Sequence, residues 1–189
     1  MTTETQAQAA YATPGRVRAR GPDRGRADVL DLIHADHARI RRLLATAESA
    51  ARRAEPARAP RMLSEAWDRA AVLLQADCDA EEEICYPVLF GAAGAAALTG
   101  EARAEHDDIR AAVAEARLQE AGSPAWWRAV TAAITATREH FTHEEHGALA
   151  QIRHRTSPAQ RRTLGRQWAA YMNARARDAG TGAGEAAGG

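Results

Sequence analysis

The sequence contains no lysine, because all 25 of its basic residues are arginine, and 25 acidic residues bring the formal net charge to zero. A chain without an excess of positive charge has no overall electrostatic attraction to nucleic acid or to an anionic membrane surface. We therefore expect neither nucleic acid nor membrane among its partners.

Cysteine is also scarce, with only Cys78 and Cys85. On one predicted helix these two residues lie about 10 Å apart by helical rise, which is too far for a disulfide. A disulfide framework within the monomer is thereby excluded, as suits a reducing cytoplasm. The N-terminus has no apolar signal-peptide core, and no stretch approaches 18 apolar residues without charge. We expect a soluble, cytoplasmic protein.

Proline and glycine divide the chain into segments with helical periodicity. Residues 1–26 are polar and arginine-rich, and are predicted to be a disordered arm. Residues 27–156 carry four amphipathic segments, residues 157–178 carry a fifth, and residues 179–189 are a flexible Gly/Ala-rich tail. No strand candidate is found. The predicted fold is all-α, an up-down four-helix bundle with an appended C-terminal fifth helix.

The helix boundaries follow from caps and breakers. The four bundle helices are predicted from about Asp28 to Arg53, from Pro60 to an end or kink at Tyr86-Pro87, from Glu101 to Glu120, and from Pro124 to Arg155.

Ionisable residues interrupt the apolar stripe of every bundle helix. The second helix directs Leu74, Asp77, Glu81, Ile84 and Val88 inward. A buried, unpaired carboxylate costs several kcal/mol, so it normally acquires a proton, a counter-charge or a metal. Three imidazoles and three carboxylates directed inward indicate a metal site. The six candidate ligands are His37, Asp77, Glu81, His106, His140 and Glu144.

The spacing of these residues favours two metal ions. Residues four apart on a helix share one face, so Asp77 with Glu81 and His140 with Glu144 are each two-ligand units. A carboxylate can bridge two cations, whereas an imidazole nitrogen binds one. Helix bundles with such ligand sets commonly hold iron, and manganese is the alternative.

Several neighbours have two interpretations. His34, about 60° off the stripe, could be a ligand, although a surface or hydrogen-bonding role is favoured. Glu145 is an alternative to Glu144, which has the better angular match to His140. Glu82 is interpreted as solvated.

Tyr86 is interpreted as helix-end packing rather than as a phenol near the metals, and His143 as solvent-exposed.

Four motifs between about Asp28 and Arg155 resemble the hemerythrin (HHE cation-binding) family. They are Asp36-His37, the run Glu81-Glu82-Glu83-Ile84-Cys85-Tyr86-Pro87-Val88-Leu89, Glu105-His106, and His140-Phe141-Thr142-His143-Glu144-Glu145. The resemblance implies a non-haem di-iron centre in a four-helix bundle, used for dioxygen binding or sensing, iron homeostasis or oxidative chemistry.

The sequence departs from that family at two positions. Asp77 stands where members usually have a histidine, and Arg110 stands where reversible oxygen carriers tend to have a second helix-three histidine. Arginine cannot be a ligand, so one metal either loses an imidazole or takes a substitute such as His34, Glu145 or water. Arg110 could form a salt bridge to a carboxylate ligand or orient a bound anion. The ligand set resembles carboxylate-rich di-iron proteins that activate dioxygen.

Three hypotheses follow. The leading one is a hemerythrin-like di-iron protein that binds or reacts with dioxygen, peroxide or nitric oxide. The second is an enzyme, a di-iron oxidase or oxygenase acting on a small organic substrate. The third is an iron- or redox-responsive regulatory module acting through the arm or the fifth helix. The sequence leaves open the native metal, the oligomeric state and whether Asp77 and Glu145 are ligands.

Overall fold

A computed structural model describes residues 27–53, 59–89 and 94–185, and within these ranges it contains helices and no strand. The α-helices are α1 (Val29–Arg53), α2 (Ala59–Ala80), α3 (Ala95–Leu118), α4 (Pro124–His146), α5 (Ala148–Arg155) and α6 (Pro158–Glu185). The predicted all-α bundle is confirmed. The predicted arm, residues 1–26, lies outside the described residues. None of the helices described here combines the length and the apolarity needed to cross a membrane.

Two apolar clusters fill the bundle, and a layer of ionisable residues lies between them. In α1, the first cluster reaches Ile33 and the second begins at Ile40, with buried His37 between them. In α3, buried His106 lies between Ala102 of the first cluster and Ile109 of the second. The helical stripes therefore bury the six candidate ligands at one level, as their spacing predicts.

The second helix ends in a π-helical turn, Glu81–Cys85, followed by a 3-10 turn, Tyr86–Leu89. The backbone N–H of Tyr86 bonds to the carbonyl of Glu81, five residues earlier. A π turn takes in one extra residue and shifts the inward register by one position. The predicted inward positions Ile84 and Val88 are therefore only partly buried, whereas Cys85 and Leu89 are fully buried.

The fourth predicted helix is not continuous to Arg155, because it is interrupted at Gly147 (φ −102°, ψ −93°). A Cβ atom at this position would lie 2.8 Å from the backbone oxygen of His143. Glycine is thus the residue that the close approach of the backbone permits. The chain resumes as α5, which buries Leu149 and Ile152 in the first cluster.

The appended helix packs on α1 and α2, and Trp168 is fully buried there. The indole Nε1 of Trp168 donates a hydrogen bond to Oδ2 of buried Asp36 at 3.0 Å. This helix was predicted over residues 157–178 and extends to Glu185, so residues 179–185 of the predicted flexible tail are helical. Residues 186–189 lie outside the described part.

Gly165 allows α6 to approach the start of α1. A Cβ atom there would overlap the backbone carbonyl oxygen of Ala27. We expect Gly165→Ala to lower the free energy of unfolding by about 1–3 kcal/mol through overpacking, measured by urea denaturation. The control is Gly100→Ala in α3, where a Cβ would meet nothing within 4 Å and helix propensity should add about 0.5–1 kcal/mol. Equal effects at both positions would contradict the close packing of α6.

Candidate metal centre

The six candidate ligands converge inside the bundle. Five of them are 0% exposed, and Glu144 is 2% exposed. They come from α1 (His37), α2 (Asp77), the π turn (Glu81), α3 (His106) and α4 (His140, Glu144). The structure therefore brings together all six residues, and their role as ligands stays a prediction.

Glu81 lies at the middle of the group, and its two oxygens face different histidines. Oε1 is 3.3 Å from Nε2 of His37, whereas Oε2 is 3.2 Å from Nε2 of His106 and 3.7 Å from Nε2 of His140. Two sets of donor atoms thus share Glu81: one with His37 and Asp77, the other with His106 and His140. Within each set the donor atoms lie within 4.8 Å of one another. If cations occupied both sets, Glu81 would be placed to bind each of them with one oxygen.

Glu144 lies between the same two sets. Its Oε2 atom is 3.5 Å from Nε2 of His37 and 3.7 Å from Nε2 of His140. The hydroxyl of Tyr86 donates a hydrogen bond to the other oxygen, Oε1, at 3.0 Å, and lies 3.4 Å from Nε2 of His106. Tyr86 is buried, as predicted, but it also contacts the centre, which the packing interpretation missed.

A carboxylate outside the centre holds each inner imidazole by its Nδ1 atom. The pairs are His37 with Glu145 at 2.9 Å, His106 with Glu82 at 2.7 Å, and His140 with Glu105 at 2.8 Å. An ionised carboxylate only accepts, so Nδ1 carries a proton, and in the neutral ring the Nε2 lone pair faces inward. This tautomer is the one that binds metal, and such carboxylate–histidine pairs orient metal-ligating rings.

The outer carboxylates are themselves paired with basic groups at the surface. Arg110 contacts Glu82 and Asp79, each at 2.8 Å. Arg110 therefore pairs with a carboxylate that supports His106, not with one of the six inner carboxylates and imidazoles. The interpretation of Glu82 as solvated is wrong, because its side chain is only 26% exposed and binds His106.

The other two outer carboxylates follow the same pattern. Arg41 lies 3.0 Å from Glu145, and His143 lies 2.6 Å from Glu105. The side chain of His143 is 67% exposed, so the predicted exposure agrees, although the contact with Glu105 was not predicted.

The alternative ligands His34 and Glu145 lie on the outer side of His37. Nδ1 of the exposed His34 is 3.9 Å from Glu145, and these two residues with His37 form a third group whose donor atoms are close enough for a cation. However, when Nε2 of His37 binds a cation inside the bundle, its Nδ1 atom donates a hydrogen bond to Glu145. The outer group therefore supports His37, and Glu145 does not extend into the centre.

The buried carboxylates do not titrate alike. Burial, together with the nearby charge of Glu81, raises the pKa of Asp77 to about 7. The same two causes raise the pKa of Glu144 well above its usual range. Burial also acts on Glu81, but the adjacent imidazoles of His106, His140 and His37 hold its pKa well below the usual value.

Four carboxylate oxygens in the centre lack a hydrogen-bond partner among the described residues. They are both oxygens of Asp77, Oε2 of Glu81 and Oε2 of Glu144. Buried acceptors without partners are costly and require an explanation. A divalent cation would supply the missing partner, and three carboxylates with three imidazoles suit iron or manganese. The residues present therefore fit the metals that the sequence predicts.

Cys78 and Cys85 are free and buried. Burial raises the pKa of both thiols, with the charge of Glu81 as the next cause. Thiols held protonated in apolar surroundings are inert, which agrees with a packing role.

The support of His106 by Glu82 can be tested with a matched pair of variants. Loss of an outer-shell partner typically weakens metal affinity about 10–100-fold, so we expect that loss for Glu82→Ala. The neighbouring Glu83 is exposed, and Glu83→Ala should leave affinity unchanged. The measurement is competition with a chromophoric chelator. Equal affinities for the two variants would show that Glu82 does not orient the ring.

Comparison with known proteins supports the same assignment. A family model of the hemerythrin HHE cation binding domain matches residues 28–152, about two thirds of the chain. No curated protein and no solved structure shows significant similarity to this protein. The matched region contains all six residues of the buried centre. The chain belongs to the hemerythrin HHE cation-binding domain family.

Proposed function

We propose that the protein is a non-haem di-iron protein that reacts with dioxygen, peroxide or nitric oxide through a carboxylate-rich site. The observation that carries this proposal is the position of Glu81, whose two oxygens face two separate sets of donors. Glu144, between the same sets, is the second candidate bridge. His37 and Asp77 would hold one ion, and His106 and His140 the other, with manganese as the alternative to iron.

Iron bound there would supply redox chemistry toward small oxygen or nitrogen-oxide molecules. The protein contributes the charge of the site. Asp77 places a carboxylate where the family usually has a neutral imidazole, and the set becomes three carboxylates with three imidazoles. Anionic oxygen ligands stabilise the oxidised metal. The composition of the site thus favours irreversible reaction with oxygen over reversible carriage.

Tyr86 contributes a proton donor at the edge of the site. Burial, with the charges of Glu81 and Glu144, raises the pKa of its phenol, so Tyr86 keeps its proton. Its hydroxyl donates to Oε1 of Glu144 and thereby orients that carboxylate. The Oε2 atom is left facing the two sets of histidines.

A regulatory role is the second candidate function. Trp168 of α6 donates a hydrogen bond to Asp36, which precedes His37 in the sequence. A change at the centre could therefore alter the packing of α6. Hydrogen exchange of α6 in the reduced and oxidised protein would detect it, and identical protection in both states would remove this candidate.

The oxygen reaction provides the test of the leading proposal. The reduced, iron-loaded protein should consume dioxygen that cannot be recovered under vacuum, and Asp77→His should prolong the time over which it can be recovered. Asp68→His is the matched control, because Asp68 is exposed on the same helix and lies outside the centre. Full recovery of dioxygen from the unmodified protein would refute the proposal and restore a carrier role.

A further inference from the structure

A small cavity of about 70 Å³ lies between α3 and the junction of α4 with α5. The lining residues that bear on its role are Leu98, Ala102, Glu105, His143, Glu144 and Gly147. It is separate from a larger groove of about 650 Å³ between α1, α2 and α6, whose lining includes none of the six buried ligand candidates. Of these two, the smaller cavity is the one that adjoins the centre.

The lining of the cavity includes one of the six ligand candidates, Glu144. Glu144 is the one residue of the six with measurable exposure, 2% against 0% for the others. Its Oε2 atom has no hydrogen-bond partner in the described structure and lies 3.5 Å from Nε2 of His37. The cavity therefore reaches the residue whose carboxylate lies between both sets of donors.

The helix break at Gly147 keeps the cavity open. A Cβ atom at this position would lie 3.6 Å from Cδ2 of Leu98 and 2.8 Å from the backbone oxygen of His143. A side chain there would therefore extend toward the α3 wall. The missing side chain leaves a gap between the helices, which continuous packing would close.

The outer end of the cavity is polar and accessible. His143, whose side chain is 67% exposed, lies 2.6 Å from the partly exposed Glu105. One water molecule occupies about 30 Å³ of liquid volume, so the cavity has room for about two. Molecules of two to four heavy atoms fit this space, whereas a ring-sized organic compound does not.

We propose that this cavity is the route by which small inorganic molecules reach the metal centre, and that its small volume restricts the reactants to that size. This inference rests on the proposed function and adds the path that its reactants take to the centre. Leu98 is the specificity-determining residue, because its partly buried side chain forms the α3 wall opposite Gly147.

The test uses azide, a three-atom anion, and the full-length ferric protein loaded with iron. Binding and release of azide are followed by stopped-flow absorption. Leu98→Phe should narrow the route and slow association and dissociation together by about tenfold, which corresponds to about 1.4 kcal/mol at the barrier. The dissociation constant and the metal content should not change, because a route changes both rates equally. Leu98→Ala should speed both.

Leu118→Phe is the matched control, because it makes the same substitution on α3 at a side chain that is 79% exposed. It should leave both azide rates unchanged. Unchanged rates in Leu98→Phe and in Leu98→Ala would overturn the route and leave the proposed function intact. A changed dissociation constant with unchanged association would also overturn it, since Leu98 would then shape the site itself. An unmodified protein that holds two irons but binds no azide would contradict both proposals.

Discussion

Glu81→Ala is expected to reduce the metal content from about two ions per chain to less than one. Glu81 faces both sets of donors, so its removal takes one carboxylate oxygen from each. His140→Ala removes an imidazole from one set only, and should abolish the binding of the ion held with His106. The measurement is metal analysis by mass spectrometry after loading and gel filtration.

Glu83→Ala is the control for this experiment, because Glu83 is exposed two residues further along the same turn. Its metal content should equal that of the unmodified protein. If Glu81→Ala and His140→Ala also retained two ions per chain, the assignment of the buried centre as the metal site would be wrong.

Removal of the metals by a chelator is expected to lower the melting temperature by about 10 °C. A ligand at 100 to 1,000 times its dissociation constant stabilises the native state by about 3–4 kcal/mol, and each kcal/mol shifts the transition by a few degrees in a protein of this size. The physical cause is the set of buried oxygens without partners, on Asp77, Glu81 and Glu144. Calorimetry with and without chelator measures the difference.

The stabilisation by metal should be larger at pH 8 than at pH 6. The pKa of Asp77 in the metal-free protein is about 7, raised by burial and by Glu81. In the unfolded chain the pKa of Asp77 is about 3.9. The ionised carboxylate therefore lowers the free energy of unfolding of the metal-free protein, and this destabilisation decreases as the pH falls through 7. A proton also competes with the metal for the same oxygens.

The histidines shift the stability of the metal-free protein in the same direction. Burial lowers the pKa values of His37 and His106, but nearby carboxylates raise them by more. The carboxylates are Asp77 and Glu81 for His37, and Glu81 and Glu82 for His106. Their contribution to stability is present below the unfolded value of about 6.5 and is lost as the pH rises through the folded values. If the chelator lowered the melting temperature equally at pH 6 and at pH 8, Asp77 and the two histidines would have to lie in solvent rather than in the core.

The sequence could predict the helices and the level of the site because both depend on local periodicity. His37 between Ile33 and Ile40 is visible in the sequence as a break in one apolar stripe, and the structure buries it there. A helix that packs on its neighbours must direct such a residue inward. Four stripes with matching breaks were sufficient to predict that six side chains converge.

The π turn after Ala80 could not be predicted in the same way. A fixed period of 3.6 residues directs Ile84 and Val88 inward, whereas the extra residue of the turn instead buries Cys85, Tyr86 and Leu89. Pro87 predicted the end of the helix but not this change of register. The interruption at Gly147 was missed because a single glycine does not by itself end a helix.

The carboxylates that support the histidines were missed for a different reason. A hydrogen bond between helices, such as Glu105 to His140, leaves no period in the sequence. One signal was nevertheless available, since Glu82 follows Glu81, Glu105 precedes His106, and Glu145 follows Glu144. An acidic residue next to an inward ligand, one position around the helix, is placed to reach a ring on the neighbouring helix.

The most direct test of a di-iron centre is to load the metal-free protein with Fe(II) under anaerobic conditions, count the bound metal, and record the optical spectrum as oxygen is admitted. Two sets of donors that share Glu81 predict about two iron ions per chain and an absorption change that requires oxygen. A protein that retains less than one ion per chain, or two ions with an unchanged spectrum, would contradict a di-iron centre that reacts with oxygen.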